Sequence, residues 1–329
     1  MKKLSLVLCL LVFIGCSHSK RQTDLVTESS LEKDLLPGVQ IVYSANMRGD
    51  IESCNCKKDP AGGVQRRWNL LHSRLSKSRL SLDSGDLFFY TTPIPPFLER
   101  LHMTQALAIV DAYNELKVDV FSPGELDFGA GLENFELLRS RAKFEFVSAN
   151  ILKKNTLQRL LKPFVILTRN GKKIAIFGLF DESLELPEEL VATNHIDSAK
   201  EIVSELAGKV DITIALTHLG YEKDLELARN VPEINAIFGA HSMSYLDPPV
   251  LVDNGDQKTL IFQTSLRGQH LGLSEGLELS TNGHHEQVLL NELLDSPSGK
   301  PNPMDLLLAK TRNQLRKIQQ ESDKELLQE

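Results

Sequence analysis

Side chains that can bind a metal ion follow several apolar runs of this sequence. Asp86, Glu125, His218 and His241 each come a few residues after a predicted strand, and Asn46 follows the first such strand. The carboxyl ends of strands in an open α/β sheet are where sites form. Carboxylate, amide and imidazole groups held on rigid elements are the ligands that a divalent metal requires. One such residue alone is typical of a loop cap or a packed histidine, but the ordered set predicts a metal site.

The loop after the first strand, residues 44–56, carries Cys54 and Cys56. Three roles stay open for this pair: a loop-closing disulfide, soft ligands for zinc or copper(I), or a rigid structural pin. The absence of a Cys-x-x-Cys-His motif excludes covalently bound haem. With so few cysteines the chain is not a disulfide-rich scaffold.

The elements that must position these residues alternate along the chain. Short apolar runs and amphipathic stretches succeed each other from Val39 onward, which favours an α/β fold with buried sheets. Asn170-Gly171 and Asn254-Gly255 are hairpin signals and predict antiparallel edges, hence one or two mixed sheets. The predicted strands are Val39–Ser44, Arg79–Asp83, Val118–Phe121, Phe144–Ser148, Phe164–Thr168, Lys173–Leu179, Asp211–Leu216, Ile234–Phe238, Val250–Val252 and Leu260–Gln263. The predicted helices are Arg66–Ser76, Pro96–Leu116, Gly131–Ala142, Ser198–Ala207 and Glu222–Asn230.

The first residues are typical of an export signal. Two lysines precede the apolar run Leu4–Ile14, which is shorter than the roughly 20 residues of a membrane span. The stretch from Phe13 to Cys16 resembles a bacterial lipobox, so we predict a signal peptide over 1–15 and lipid on Cys16, which would attach the chain to the membrane. An ordinary secretory signal is the alternative. Ser17 favours the outer over the inner membrane, and residues 16–38 are polar enough to act as a tether.

The rest of the chain is predicted to hold one large domain, 39–295, and a C-terminal helix, 302–328. Asn302-Pro303 followed by Asp305 is a helix start: an N-cap, a proline and an acidic first turn. The net charge of −7 argues against a nucleic-acid partner. No sequence feature identifies a protein partner.

The order of these motifs resembles the calcineurin-like metallophosphoesterases, in particular their 5'-nucleotidase branch. The motifs that carry the resemblance are Asn46-Met47-Arg48-Gly49, Gly62-Gly63-Val64-Gln65-Arg66, Asp83-Ser84-Gly85-Asp86, Glu125-Leu126-Asp127-Phe128-Gly129, Ser148-Ala149-Asn150, His218-Leu219-Gly220 and Gly239-Ala240-His241-Ser242-Met243. The resemblance covers about residues 39–279. It implies a four-layer sandwich of two mixed sheets flanked by helices.

The resemblance also implies a two-metal site, and this chain departs from it in one half. The family's ligands for the first metal are Asp, His and a second His, but the matching positions hold Asn46, Arg48 and Met243. Arginine and methionine do not bind a hard or borderline divalent ion. The first metal site is therefore expected to be lost, and Arg48 is expected to contact a phosphate instead.

The second half keeps most of its ligands. By resemblance Asp86, His218 and His241 hold one metal, while Pro123 replaces the family's asparagine and Glu125 or Asn46 is available as a further ligand. At most one divalent ion is thus expected, with zinc, manganese and iron all open, and a cluster of the same residues without a metal is the alternative. No nucleotide cofactor is expected.

Two functions stay open. One is a diverged 5'-nucleotidase-like phosphoesterase that uses at most one metal and has reduced or lost activity. The other is a non-catalytic binding or scaffold lipoprotein that keeps the fold. A phosphate ester is the ligand that the resemblance implies.

Overall fold

Strand β1 (Gln40–Ser44) shows how the sequence builds two apolar layers at once. Ile41 and Tyr43 face one core, while Val42 between them faces another, because successive side chains of a strand point to opposite faces of the sheet. A strand that is apolar on both faces must be covered on both. The computed structural model describes residues 38–54, 61–75, 79–277, 285–290 and 302–326. The predicted signal peptide, Cys16, the tether up to residue 37 and Cys56 lie outside the described residues.

The first sheet contains β1 and five other strands in the order β14-β13-β1-β2-β3-β4. β1, β2, β3 and β4 run parallel, and β13 and β14 add an antiparallel edge beside β1. The other five strands are β2 (Leu80–Asp83), β3 (Val120–Phe121), β4 (Glu145–Phe146), β13 (His270–Glu275) and β14 (His285–Leu289).

The second sheet is also mixed, in the order β11-β12-β10-β9-β7-β6. Its four middle strands are parallel, and both edge strands belong to the two hairpins that the sequence predicts. These strands are β6 (Phe164–Arg169), β7 (Lys172–Phe180), β9 (Ile212–His218), β10 (Ala236–Gly239), β11 (Val250–Asp253) and β12 (Lys258–Gln263). Two short strands that the sequence did not predict, β5 (Ile151–Lys153) and β8 (Leu190–Ala192), pair with each other.

Helices cover the outer faces of both sheets, so the four-layer α/β sandwich is confirmed. Helices α1, α2, α3 and α6 share a core with the first sheet, and α4 and α5 share a core with the second. A third core lies between the sheets. The helices are α1 (Val64–Arg74), α2 (Pro96–Leu116), α3 (Gly131–Arg141), α4 (His195–Leu206), α5 (Tyr221–Asn230) and α6 (Pro303–Leu326). Among the described residues no helix is long and apolar enough to cross a membrane.

The C-terminal helix α6 begins as the sequence predicts and packs on the domain. Oδ1 of Asn302 accepts the N–H of Met304 at 2.9 Å, which is an N-cap interaction. Met304 and Leu308 are buried against the helices of the first sheet. Arg312 binds both carboxylate oxygens of Glu52 at 2.8 and 2.7 Å. The helix is therefore docked rather than solvated on all sides.

Candidate metal centre

The four predicted ligand positions meet where the two sheets adjoin. Asp86 and Glu125 follow β2 and β3 of the first sheet, whereas His218 ends β9 and His241 follows β10 of the second. All four strands are parallel within their sheets, so their carboxyl ends point to the same edge. The sandwich thus brings together residues that are up to 155 positions apart in sequence.

Glu125 lies between the two histidines. Its Oε2 is 3.0 Å from Nε2 of His218, and its Oε1 is 3.3 Å from Nδ1 of His241. The three ligand atoms lie within 4.8 Å of one another. Bonds of about 2.0–2.2 Å in a tetrahedral site place ligand atoms about 3.4 Å apart. The distances from the Glu125 carboxylate to the two imidazoles are therefore close to the spacing of ligands in a zinc-type site.

The same three residues present atoms that lack hydrogen-bond partners. Oε2 of Glu125, Nε2 of His218 and Nδ1 of His241 are buried without a hydrogen bond of acceptable geometry. Nδ1 of His218 lies 2.8 Å from the carbonyl oxygen of Ser84, which can only accept, so Nδ1 carries a proton and Nε2 is the nitrogen available to a cation. Partnerless, converging lone pairs fit a divalent cation.

Asp86 adjoins this group and links it to Arg48. The residue is fully buried. Its Oδ1 lies 3.4 Å from Nε2 of His218 and accepts the N–H of Leu126 at 3.1 Å. Its Oδ2 lies 3.3 Å from Nη2 of Arg48. The predicted ligands Asp86, His218 and His241 thus come together, but Glu125, predicted only as an optional ligand, stands at the centre.

Asn46 and Arg48 hold the loop after β1 in an unusual conformation. Both have a φ of 54°, in the left-handed region. The side-chain oxygen Oδ1 of Asn46 accepts the backbone N–H of His241 at 3.3 Å, so this side chain fixes the backbone that carries a ligand. Met243, at the position where the resemblance implies the second histidine of the first metal, is 39% exposed.

Gly124 makes room for the compact arrangement. A Cβ atom at this position would clash with Oδ1 of Asp86 and would lie 2.5 Å from Cε1 of His218. Its φ of −99° is ordinary, so the requirement is for space and not for backbone freedom. The site therefore excludes any side chain at this position, where the resemblance to the phosphoesterases implies a histidine that stabilises the transferring phosphoryl group.

Asp127 ties the loops together without facing the ligands. Its carboxylate accepts the backbone N–H groups of Asp86, Leu87, Phe88 and Gly124 at 2.7–2.9 Å. Burial, aided by the charge of Asp86, raises the pKa of Asp127 to about 7. This carboxylate fixes the positions of both Asp86 and Glu125 through the backbone.

The electrostatics of the centre favour a proton on His218 when no cation is bound. Burial alone lowers the pKa of His218, but the carboxylates of Asp86 and Glu125 outweigh burial and hold it well above its ordinary value. Burial alone raises the pKa of Glu125, but contacts with His218 and His241 hold it well below its ordinary value. A metal ion that binds to His218 must therefore displace a proton from this imidazole.

A buried polar network behind the ligands was not predicted from sequence. Asp224, in the first turn of α5, accepts hydrogen bonds from Thr217 Oγ1 and Gln263 Nε2, both at 2.6 Å. Oγ of Ser242 donates to Oε1 of Gln263 at 2.8 Å. Thr217 precedes His218 and Ser242 follows His241, so the network supports both ligands. The sequence signal for this network was Asp224 itself, an acidic residue shortly after the strand-end His218.

Cys54 is disulfide-bonded, so it does not offer a thiolate to a metal. Its backbone N–H donates to the carbonyl oxygen of Ala61 at 2.9 Å. The loop after β1 therefore returns next to the turn that leads into α1.

Comparisons with known proteins agree with this architecture. No protein-family model matches the chain. It is 34% identical to protein UshA of Salmonella pullorum over 149 residues, which is 39% of this chain and 27% of that protein. It is 26% identical to a 5'-nucleotidase of Diplobatis ommata over 265 residues, 70% of this chain and 44% of that protein. The chain thus spans less than half the length of these relatives.

Among solved structures, the 5'-nucleotidase precursor of Thermus thermophilus is similar, with a TM-score of 0.68. The match has 24% identity and covers 86% of this chain and 59% of that chain. This likeness shows the shared fold. The sequence matches add that the chain is similar to 5'-nucleotidases over part of its length.

Proposed function

We propose that this chain is an envelope lipoprotein that binds one divalent metal ion and a phosphate monoester, and that hydrolyses the ester more slowly than a two-metal enzyme. The observation that carries the proposal is the convergence of partnerless ligand atoms of Glu125, His218 and His241 beside the Arg48–Asp86 pair. Zinc suits two imidazoles and a carboxylate; manganese and iron are the alternatives.

Each residue has a distinct task in this proposal. The bound ion supplies Lewis-acid polarisation of a phosphoryl oxygen. Glu125, His218 and His241 hold that ion, and Asp86 keeps Arg48 in place. The side chain of Arg48 is 24% exposed and lines an adjoining cavity, so the guanidinium retains donors for a phosphate oxygen.

The expected rate is low because two contributions are absent from the described site. Arg48 offers positive charge at the position of the lost metal, but a guanidinium does not activate a water molecule. Gly124 offers no side chain to the transferring phosphoryl group. Removal of one transition-state donor typically costs on the order of 10²–10³ in rate.

The test combines metal analysis with a phosphatase screen on the purified chain. Wild type should bind one equivalent of zinc and show slow turnover of phosphate monoesters. His218→Ala should lose both, whereas His72→Ala, which changes an exposed histidine on α1, should lose neither. Wild type without bound metal and without His218-dependent turnover would refute the proposal.

The alternative, a binding protein without catalysis, is favoured by the missing side chain at Gly124 and by the salt bridge of Arg48 with Asp86. Metal-dependent phosphate binding without turnover supports this alternative.

The envelope location rests on the stretch from Met1 to Cys16. Incorporation of labelled fatty acid that is abolished by Cys16→Ser supports lipidation. Release of an unlabelled chain into the soluble exported fraction supports the ordinary secretory signal.

A further inference from the structure

Three neighbouring strands of the second sheet reach the same level near their carboxyl ends. Gly239 of β10 is paired with Thr217 of β9 on one side and with Gln263 of β12 on the other. These three residues therefore form one row across the sheet, just before the positions of His218 and His241. Side chains in such a row point to the same face, and neighbouring strands lie about 4.8 Å apart. Because Gly239 has no side chain, a gap separates the side chains of Thr217 and Gln263.

The carboxylate of Asp224 fills this gap. Asp224 lies in the first turn of α5 and is fully buried. Its Oδ1 accepts a hydrogen bond from Oγ1 of Thr217, and its Oδ2 accepts one from Nε2 of Gln263, both at 2.6 Å. A Cβ atom at Gly239 would clash with Oδ2 of Asp224, so the row has room for the carboxylate only because residue 239 is a glycine. The ends of β9 and β12 are thus joined across the end of β10.

Gln263 extends this connection to the loop that carries His241. Oγ of Ser242 donates to Oε1 of Gln263 at 2.8 Å and accepts the backbone N–H of Tyr221 at 3.0 Å. Since a carboxylate accepts, the amide nitrogen of Gln263 faces Asp224 and the amide oxygen faces Ser242. One amide group therefore links the loop of His241 to the carboxylate that spans the row.

We propose that the Asp224–Gln263 pair is a positioning element that sets the separation of His218 and His241, so that metal affinity depends on a hydrogen bond between two residues outside the ligand set. The ligand atoms that converge belong to Glu125, His218 and His241, and the pair acts on the two histidines through the residues next to them in sequence. The inference rests on the proposed one-metal function and adds two positioning residues to its site. Loss of supporting hydrogen bonds typically costs about 10- to 100-fold in metal affinity.

The test exchanges the two functional groups of the pair. Gln263→Glu places a second carboxylate against that of Asp224, and the two repel each other. In the double variant Asp224→Asn/Gln263→Glu, an amide and a carboxylate face each other again, with donor and acceptor exchanged. The hydroxyl groups of Thr217 and Ser242 still meet an oxygen atom in this double variant. The exchange therefore restores the hydrogen bonds without restoring either original residue.

Gln263→Glu should weaken zinc binding to the full chain about tenfold or more at pH 8, as measured by competition with a chelator. The visible spectrum of the cobalt-loaded chain should change as well, because it reports the arrangement of the ligands. The double variant should recover most of the wild-type affinity and spectrum. Gln263→Met, which removes the amide without adding a charge, is a second single variant and should also weaken zinc binding.

Thr259→Val is the matched control. Thr259 is equally buried on the same strand, and its Oγ1 donates to the carbonyl oxygen of Ile234 at 2.7 Å. Loss of this hydrogen bond should lower the thermal midpoint and leave zinc affinity unchanged. Equal losses of zinc affinity in Thr259→Val, in the single variants and in the double variant would show a general loss of stability and overturn the proposal.

A second measurement needs no metal and separates this proposal from the function on which it rests. The imidazole NMR signals of His218 and His241 in the metal-free chain should shift in Gln263→Glu and return in the double variant. Unchanged zinc affinity and unchanged imidazole signals in both single variants overturn the positioning role and leave the metal centre standing. A wild type that binds no zinc, but whose imidazole signals follow the exchange, supports the positioning role and overturns the proposed function.

Discussion

Nη2 of Arg48 lies 3.3 Å from Oδ2 of Asp86, and the arginine side chain is only 24% exposed. The positive charge of Arg48 thus compensates the negative charge of Asp86, the fully buried carboxylate that would bridge two metals according to the family resemblance. Arg48 also lines a cavity of about 440 Å³ beside the candidate metal centre. Substitution of Arg48 should therefore weaken phosphate binding more than it weakens metal binding.

Arg48→Ala should weaken the binding of inorganic phosphate about tenfold or more, because a charge-assisted contact is lost. Zinc stoichiometry should stay at one. Arg48→Lys should recover only part of the phosphate affinity, since an ammonium lacks the guanidinium's fork geometry. The measurements are phosphate titrations by calorimetry and metal analysis of each variant. Unchanged phosphate affinity in Arg48→Ala would remove this residue from the site.

Glu125→Gln should reduce zinc affinity by at least about tenfold, because the central ligand loses its charge while keeping its shape. Cobalt substitution gives a second readout, since the visible spectrum of the ion reports its ligands. Glu145→Gln is the control, because Glu145 lies on β4 outside the candidate centre, where it is half-exposed and pairs with Lys162 at 2.8 Å. A cobalt spectrum identical to wild type in Glu125→Gln would contradict the central role of this residue.

Zinc affinity should rise with pH through the neutral range. Asp86 and Glu125 hold the pKa of His218 above its ordinary value, so the metal-free site retains a proton that zinc must displace. Below the pKa of His218 the affinity should fall about tenfold for each unit of pH. Calorimetry in two buffers of different ionisation enthalpy should detect about one proton released per zinc. Equal affinity at pH 6 and pH 8 would show that no such proton is displaced.

Gly124→Ala should abolish tight metal binding, because the added methyl group clashes with the carboxylate of Asp86 and the ring of His218. Overpacking of this kind also costs stability, about 1–3 kcal/mol. Gly171→Ala is the control: its Cβ meets open space, but its φ of 75° makes the change strained. Both variants should lower the thermal midpoint, and only Gly124→Ala should lose zinc.

Asp224→Asn should flatten the pH dependence of stability of the metal-free chain. Burial raises the pKa of Asp224 to about 7 in the folded state, against about 3.9 when unfolded. The folded state therefore binds the extra proton, and the contribution of this group is present below about pH 4 and lost as the pH rises to about 7. The difference in thermal midpoint between pH 5 and pH 7.5 should be smaller in the variant. Asp256→Asn, an exposed change, should preserve the wild-type difference.

Much of the fold was predictable because its strands are apolar and its hairpins carry Asn-Gly turns. β13 was missed because its pattern is interrupted by Gly272, whose Cβ would overlap the ring of Tyr43. The glycine is thus required by packing between strands, which a single-strand pattern does not reveal.

The site was predictable to a lesser degree. His218 and His241 were found because histidines at strand ends are unusual and conspicuous. The central place of Glu125 was not found, because it depends on the space left by Gly124 and on the turn that Asp127 holds. Asp224 was not found either, because it reaches the ligand loops from a helix.

The pairing of β1 with β13 has a consequence for the order of folding. Gln40 is paired with Glu275, whereas all strands of the second sheet come from the contiguous stretch 164–263. Pairings between distant residues form slowly, since a long loop must close first. The second sheet can therefore assemble early, and the first sheet is completed only when residues beyond 270 reach β1. A chain arrested before this closure would therefore have the strands that precede all four candidate ligands and lack the antiparallel edge of the first sheet.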